Sequence, residues 1–302
     1  MTTRDAGDFW LADEAPPWWH RARAVYDAAV HIATHVNLPA TLTLAAALGR
    51  TLHRVTGRSP SAADIGRLFP DRSADELRRI AREIAALRYQ NRVRVVRAMR
   101  GGRPGLGRPI AEADLAALEP LRSQGPAILL TWHVGPLFAL SHALSRLRFP
   151  VMMLRRTHFV PVLPGVELVA TDGDSDERAA ALARAIAHVR RGGFVLMAPD
   201  TLGAARTMPV PCLGRAVPLA CGAFALARLT GVPIVPLAGR QDEDGTVRLE
   251  LGAPLTFSRE QDVERALAAA AAAWYEAYLR KWPGQLWLRS VRWFLDAPPL
   301  TP

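Results

Sequence analysis

From Pro126 to Lys281 the sequence alternates short apolar runs with longer amphipathic ones, and this alternation confines the chain to a small set of folds. The runs Ala127 to Trp132, Pro150 to Leu154, Val166 to Ala170, Phe194 to Ala198, Ile234 to Leu237 and Val247 to Leu251 are short and mostly Val, Ile, Leu and Phe. Strands buried on both faces have this composition. Between them, Pro136 to Leu147, Ser175 to Arg191, Leu219 to Thr230 and Glu260 to Lys281 read as helices. The expected fold is α/β, a mostly parallel central sheet flanked by helices on both faces.

A helical N-terminal extension is expected before that sheet. Its first helix falls near His20 to His35, after a lead containing Trp10, Trp18 and Trp19, and its second runs from Thr41 to Val55. The lead either packs onto the body or rests at a membrane interface beside Arg21 and Arg23. Ser73 and Glu76 have the spacing of a capping box and open an amphipathic helix reaching about Met99. The glycine-rich stretch Gly101 to Gly107 follows a helix instead of joining a strand to one, so it reads as a connector and not as a phosphate loop. Residues 1–110 are thus the extension and 111–302 the α/β core, and no linker composition divides the two into separate domains.

Open α/β sheets place their chemistry at the carboxyl ends of strands. His133 ends the first apolar run and precedes a Gly-Pro break and a helix start, which suits a general base. A lone histidine beside an apolar run is more often a packed, hydrogen-bonded core residue. A second strand end, Leu196 to Thr207, brings Asp200, Gly203 and Arg206. Asp200 can orient a basic side chain or a substrate hydroxyl, and Arg206 can bind phosphate or carboxylate. Arg155 and Arg156 close a third strand and would project from the same edge. Such a set suits an anionic substrate.

The net charge of +10 and pI of about 10.9 rest almost wholly on arginine, Lys281 being the only lysine. The charge either attracts an acidic partner, such as anionic lipid or an acidic carrier protein, or belongs to solvated faces. Nucleic acid is not expected, because the arginines are scattered and no recognition motif accompanies them. Cys212 and Cys221 form no C-x-x-C pair, and His31 and His35 lack a third ligand, so neither a metal nor a redox framework is expected. Met1 to Asp13 does not read as a secretory signal, and Ala28 to Leu48 is interrupted by His31, His35, Asn37 and Pro39. The expectation is a cytoplasmic protein, soluble or peripheral at the inner membrane face.

Six stretches in order carry a family resemblance. They are Leu68-Phe-Pro-Asp-Arg-Ser73; Leu130-Thr-Trp-His-Val-Gly135; Met153-Leu-Arg155; Ala198 to Gly214; Ala225 to Pro236; and Trp282-Pro-Gly-Gln-Leu-Trp-Leu-Arg289. Together they resemble the lysophospholipid acyltransferase-like superfamily, and within it the bacterial lipid A lauroyl/myristoyl acyltransferases. The resemblance implies that His133 takes a proton from an acceptor hydroxyl. It also implies that Arg155 and Asp200 shape the pocket and that Gly203 to Gly214 border the substrate. No cofactor is implied; the co-substrate is an acyl thioester, on acyl carrier protein or coenzyme A.

One position departs from the family pattern. There the histidine is followed five residues later by Asp or Glu, which holds the imidazole, whereas here Phe138 occupies that position. Three consequences are open. Glu167, Asp172 or Asp200 replaces the missing acid in space; or the acceptor is an amine or other nucleophile needing less help from a base; or the chain binds acyl groups without transferring them.

Overall fold

The computed structural model describes residues 38–56, 60–101, 110, 112–155, 165–171, 173–201, 204–242, 245–257 and 262–300. The helix expected near His20 to His35 lies outside them. In chain order the elements are α1 (Leu38–Thr56), α2 (Ala62–Gly66), α3 (Ala74–Gly101), α4 (Glu112–Ala116), α5 (Glu119–Gln124), β1 (Ile128–Leu130), α6 (Leu137–Arg146), β2 (Val151–Arg155), β3 (Val166–Ala170) and α7 (Ser175–Arg190). There follow β4 (Phe194–Met197), β5 (Thr207–Cys212), β6 (Arg215–Ala220), α8 (Gly222–Thr230), β7 (Ile234–Gln241), β8 (Val247–Leu251), α9 (Val263–Lys281), a 3-10 turn (Pro283–Gln285) and α10 (Leu288–Asp296).

The main sheet has six strands in the order β3-β2-β4-β1-β7-β8. All its pairings are parallel except that of β7 with the edge strand β8. β1 is central, with Ile128 opposite Val195 on one side and Ile234 on the other. Its side chains divide with the period of two that a pleated strand imposes. Ile128, Leu130 and Trp132 enter one hydrophobic cluster, and Ala127 and Leu129 the other. Each fully buried Leu or Ile stabilises the fold by about 1.5–3 kcal/mol relative to exposure. The first cluster also takes Ile65, Leu68, Phe69, Ile80 and Ile84, so residues on both sides of position 110 share one core.

Local signals set the helix starts. Ser73 and Glu76 bond reciprocally, Ser73 N–H to Glu76 Oε2 at 2.9 Å and Glu76 N–H to Ser73 Oγ at 3.3 Å. The same backbone and hydroxyl donors, with Arg72, hold the Glu76 carboxyl below its usual range. Asp174 and Glu177 form a second capping box at the start of α7.

The antiparallel hairpin β5-β6 was not expected from the sequence, because Pro209, Pro211 and Pro218 argue against strands. A hairpin outside the main sheet has no central position to fill, and Pro209 and Pro218 simply face each other in its ladder. Leu213 and Gly214 turn the chain with φ of 50° and 71°, as a two-residue hairpin turn demands. The helix expected from Leu219 therefore begins at Gly222, since Leu219 and Ala220 complete the ladder. β7 runs on to Gln241, past the expected end at Leu237, because β8 pairs with that extra length.

Tyr275 of α9 ties the fold together beneath β1. Its buried hydroxyl lies 2.6 Å from the Leu130 carbonyl and 3.0 Å from that of Leu237, and its ring stacks on Trp132 at 4.6 Å. Burial pushes its phenol well above the usual range, so it stays a neutral donor. Tyr275→Phe would leave the buried carbonyls of Leu130 and Leu237 without this hydroxyl. It is expected to cost about 1–3 kcal/mol, read as a lower urea midpoint at unchanged m-value.

Candidate active site

Beyond Leu130 the chain leaves the sheet ladder and makes a tight turn through His133, Val134 and Gly135 before α6. A turn of this kind leaves main-chain groups without sheet partners, and other parts of the molecule must satisfy them. The His133 N–H donates to Asp200 Oδ2 at 2.8 Å, and the His133 carbonyl accepts from the Ser290 hydroxyl at 2.9 Å. Gly135 N–H donates to the Gln285 carbonyl at 2.6 Å. The Gly135 carbonyl accepts both the Asn91 amide at 2.9 Å and the Trp287 indole N–H at 2.7 Å.

The imidazole meets the same carboxylate that its backbone does. His133 Nδ1 lies 2.9 Å from Asp200 Oδ1, across 67 residues of sequence. Asp200 sits just beyond the end of β4, the parallel neighbour of β1, so sheet register alone brings the two residues level. An ionised carboxylate can only accept, which assigns the Nδ1 proton to His133 and leaves the Nε2 lone pair basic. The side chain of His133 is 19% exposed and that of Asp200 only 2%. The acid is shielded while the imidazole remains reachable from solvent. A histidine held in this tautomer can accept a proton at Nε2 and return it, with the carboxylate stabilising the imidazolium between.

The other residues singled out in the sequence are placed as follows. Glu167 is ion-paired with Arg184 at 2.5 Å on the edge strand β3. Asp172, Arg156 and Gly203 lie outside the described residues, as do the side chains of Arg155 and Phe138. Arg155 is the last residue of β2, one strand beyond β4 from β1. Arg206 does not stand free at the sheet edge: it pairs with Glu264, which also accepts from Arg228 Nε at 2.9 Å. Cys221 is buried, and that burial raises its thiol, an unsuitable state for a nucleophile. Among the described residues no group of three or more His, Cys, Asp or Glu could hold a metal ion. No helix among them is long and apolar enough to cross a membrane.

Sequence reasoning did not find Asn91, Gln285, Trp287 or Ser290. Gln285 and Trp287 fall within the quoted stretch Trp282 to Arg289, which marked them without giving a role. Asn91 and Ser290 carry no signal, being single polar residues on amphipathic helices.

Comparison with known proteins places the chain in a class of acyltransferases. The family of bacterial lipid A biosynthesis acyltransferases matches residues 25–293, and the chain belongs to that family. Among solved structures it is similar to the 1-acyl-sn-glycerophosphate (LPA) acyltransferase PlsC from Thermotoga maritima. That match has 13% identity over 79% of this chain and 95% of that one, at a TM-score of 0.36. No curated protein matches the sequence.

Gly135 fixes how closely the turn can approach β7. Its φ is +52°, and a Cβ there would lie 1.8 Å from the Gly239 carbonyl oxygen, which Tyr278 already binds at 2.9 Å. Backbone on a paired strand cannot retreat as a side-chain tip can. Gly135→Ala is expected to destabilise the protein by about 3 kcal/mol or more, measured by denaturant unfolding.

Proposed function

We propose that the chain is an acyltransferase that moves an acyl group from a thioester to a hydroxyl or amine, with His133 as general base and Asp200 as the acid that holds it. The observation supporting this reading is the double engagement of Asp200, Oδ1 on the imidazole at 2.9 Å and Oδ2 on the His133 N–H at 2.8 Å. One carboxylate thereby fixes the ring relative to its own backbone. The position taken by Phe138 then need not supply an acid, because the orienting charge comes from a neighbouring strand.

In the proposed reaction Nε2 accepts the proton of the acceptor O–H or N–H as that oxygen or nitrogen attacks the thioester carbon. The tetrahedral adduct collapses, the C–S bond breaks, and the proton passes from Nε2 to the departing thiolate. None of the main-chain N–H groups of His133, Val134 and Gly135 is free to receive the developing oxyanion. They are engaged by Asp200, the Trp132 carbonyl and the Gln285 carbonyl. The donors must come from elsewhere at the sheet edge, and Arg155, at the end of β2, is the proposed source.

The donor is an acyl group on acyl carrier protein or coenzyme A. Either is anionic and suits a chain of net charge +10. The test is turnover of acyl-carrier-protein and acyl-CoA donors with hydroxyl and amine acceptors. Asp200→Asn and His133→Ala are each expected to lower kcat by roughly three to four orders of magnitude. Binding of acyl donor without turnover in the wild type would favour a chain that holds acyl groups without transferring them, and full activity of His133→Ala would remove His133 as the base.

A further inference from the structure

The stretch Trp282 to Arg289 ends where α10 begins, and nothing in the proposed chemistry uses it. Trp287 is the residue before the first turn of α10, and Ser290 follows three positions later, a spacing that puts both on one side of the helix start. The two side chains reach the same short turn. Trp287 donates its indole N–H to the Gly135 carbonyl at 2.7 Å, and its ring stands 5.3 Å from the His133 imidazole at 67°, edge against face. Ser290 is buried and donates to the His133 carbonyl at 2.9 Å.

We propose that Trp287 and Ser290 are positioning residues for His133, holding its backbone and ring so that Nδ1 meets Asp200 and Nε2 faces the site. The proposal rests on His133 being the base. Asp200 binds the backbone N–H and the ring of one residue, so both bonds keep their lengths only while the His133 peptide planes stay where they are. Ser290 fixes the plane after His133 by its carbonyl. Trp287 fixes the next plane but one, and its ring packs edge against face with the imidazole. The Val134 to Leu286 bridge attaches the same segment by its main chain, so side-chain substitutions leave the segment docked while removing the bonds to the His133 and Gly135 carbonyls. A packing role alone would require neither the indole N–H nor the hydroxyl to point at carbonyls of the turn that carries the histidine.

The imidazole itself reports the outcome. Full-length protein labelled with 15N-histidine is compared as wild type, Trp287→Phe, Ser290→Ala and Ser290→Thr, with His133 signals assigned by their loss in His133→Asn. The wild type should show one tautomer, protonated at Nδ1, with a downfield, slowly exchanging proton. Trp287→Phe keeps an aromatic ring and removes the donor with part of the indole, and Ser290→Ala removes only the hydroxyl. Each should give a mixture of tautomers or faster exchange of that proton, and Ser290→Thr should restore the wild-type signal.

On an acyl-thioester substrate the two disruptive variants should lose about tenfold in kcat, the equivalent of one hydrogen bond, with KM little changed. An unchanged tautomer and exchange rate in both Trp287→Phe and Ser290→Ala overturns the proposal, as does a mixed tautomer in the wild type. Absence of wild-type turnover would remove the acyl-transfer reading alone, because the resonances judge the positioning without it.

Discussion

The carboxylate of Asp200 is the interaction on which the arrangement around His133 depends, because it is buried, it is bonded at both oxygens, and both bonds go to one residue. A buried carboxylate is costly unless its lone pairs are met by good donors. Here a backbone N–H and a ring N–H meet them, and the histidine in return loses freedom in both its main chain and its side chain. Everything else near the turn extends that constraint. Gly135 lets the chain pass within contact of β7, while Asn91, Gln285, Trp287 and Ser290 satisfy the groups that the departure from the sheet left open.

The same view explains why three distant parts of the chain converge on so short a segment. α3 supplies Asn91, the end of β4 supplies Asp200, and the 3-10 turn with α10 supplies the rest. Tyr275 anchors the strand end from below, so the turn stands on a rigid base rather than on a loose loop. Precision at a site is better kept by packed elements than by loops, and here the turn carrying His133 is bonded to several elements of the core.

Much of the fold was legible in the sequence because short runs rich in Val and Leu announce strands by composition, at the edges of the sheet as well as at its centre. Val166 to Ala170 and Val247 to Leu251 coincide with β3 and β8 to the residue. The β5-β6 hairpin was hidden because its prolines are read as breakers, and their tolerance depends on a ladder that only tertiary structure reveals. The site was legible in its histidine and its strand ends. His133 and Asp200 were both identified, with Asp200 one of three candidate partners, and the choice among them follows from the register of β1 against β4. Arg206 was read as able to bind phosphate or carboxylate, and its pairing with Glu264 was not legible because the two are 58 residues apart. Residues such as Ser290 stay silent for a simpler reason: a hydroxyl on a helix means nothing until the carbonyl it faces is known.

Separation along the chain has one further consequence. An acid five residues from its histidine can find it within a single turn, even in a partly folded chain, whereas Asp200 reaches His133 only after two strands have paired across 67 residues. The pair is therefore a product of global cooperativity. Fragments, local openings of the sheet and early folding species that retain helices will lack it altogether. Its presence marks the completed native state, and any chemistry it performs switches on and off with the whole fold rather than with one loop.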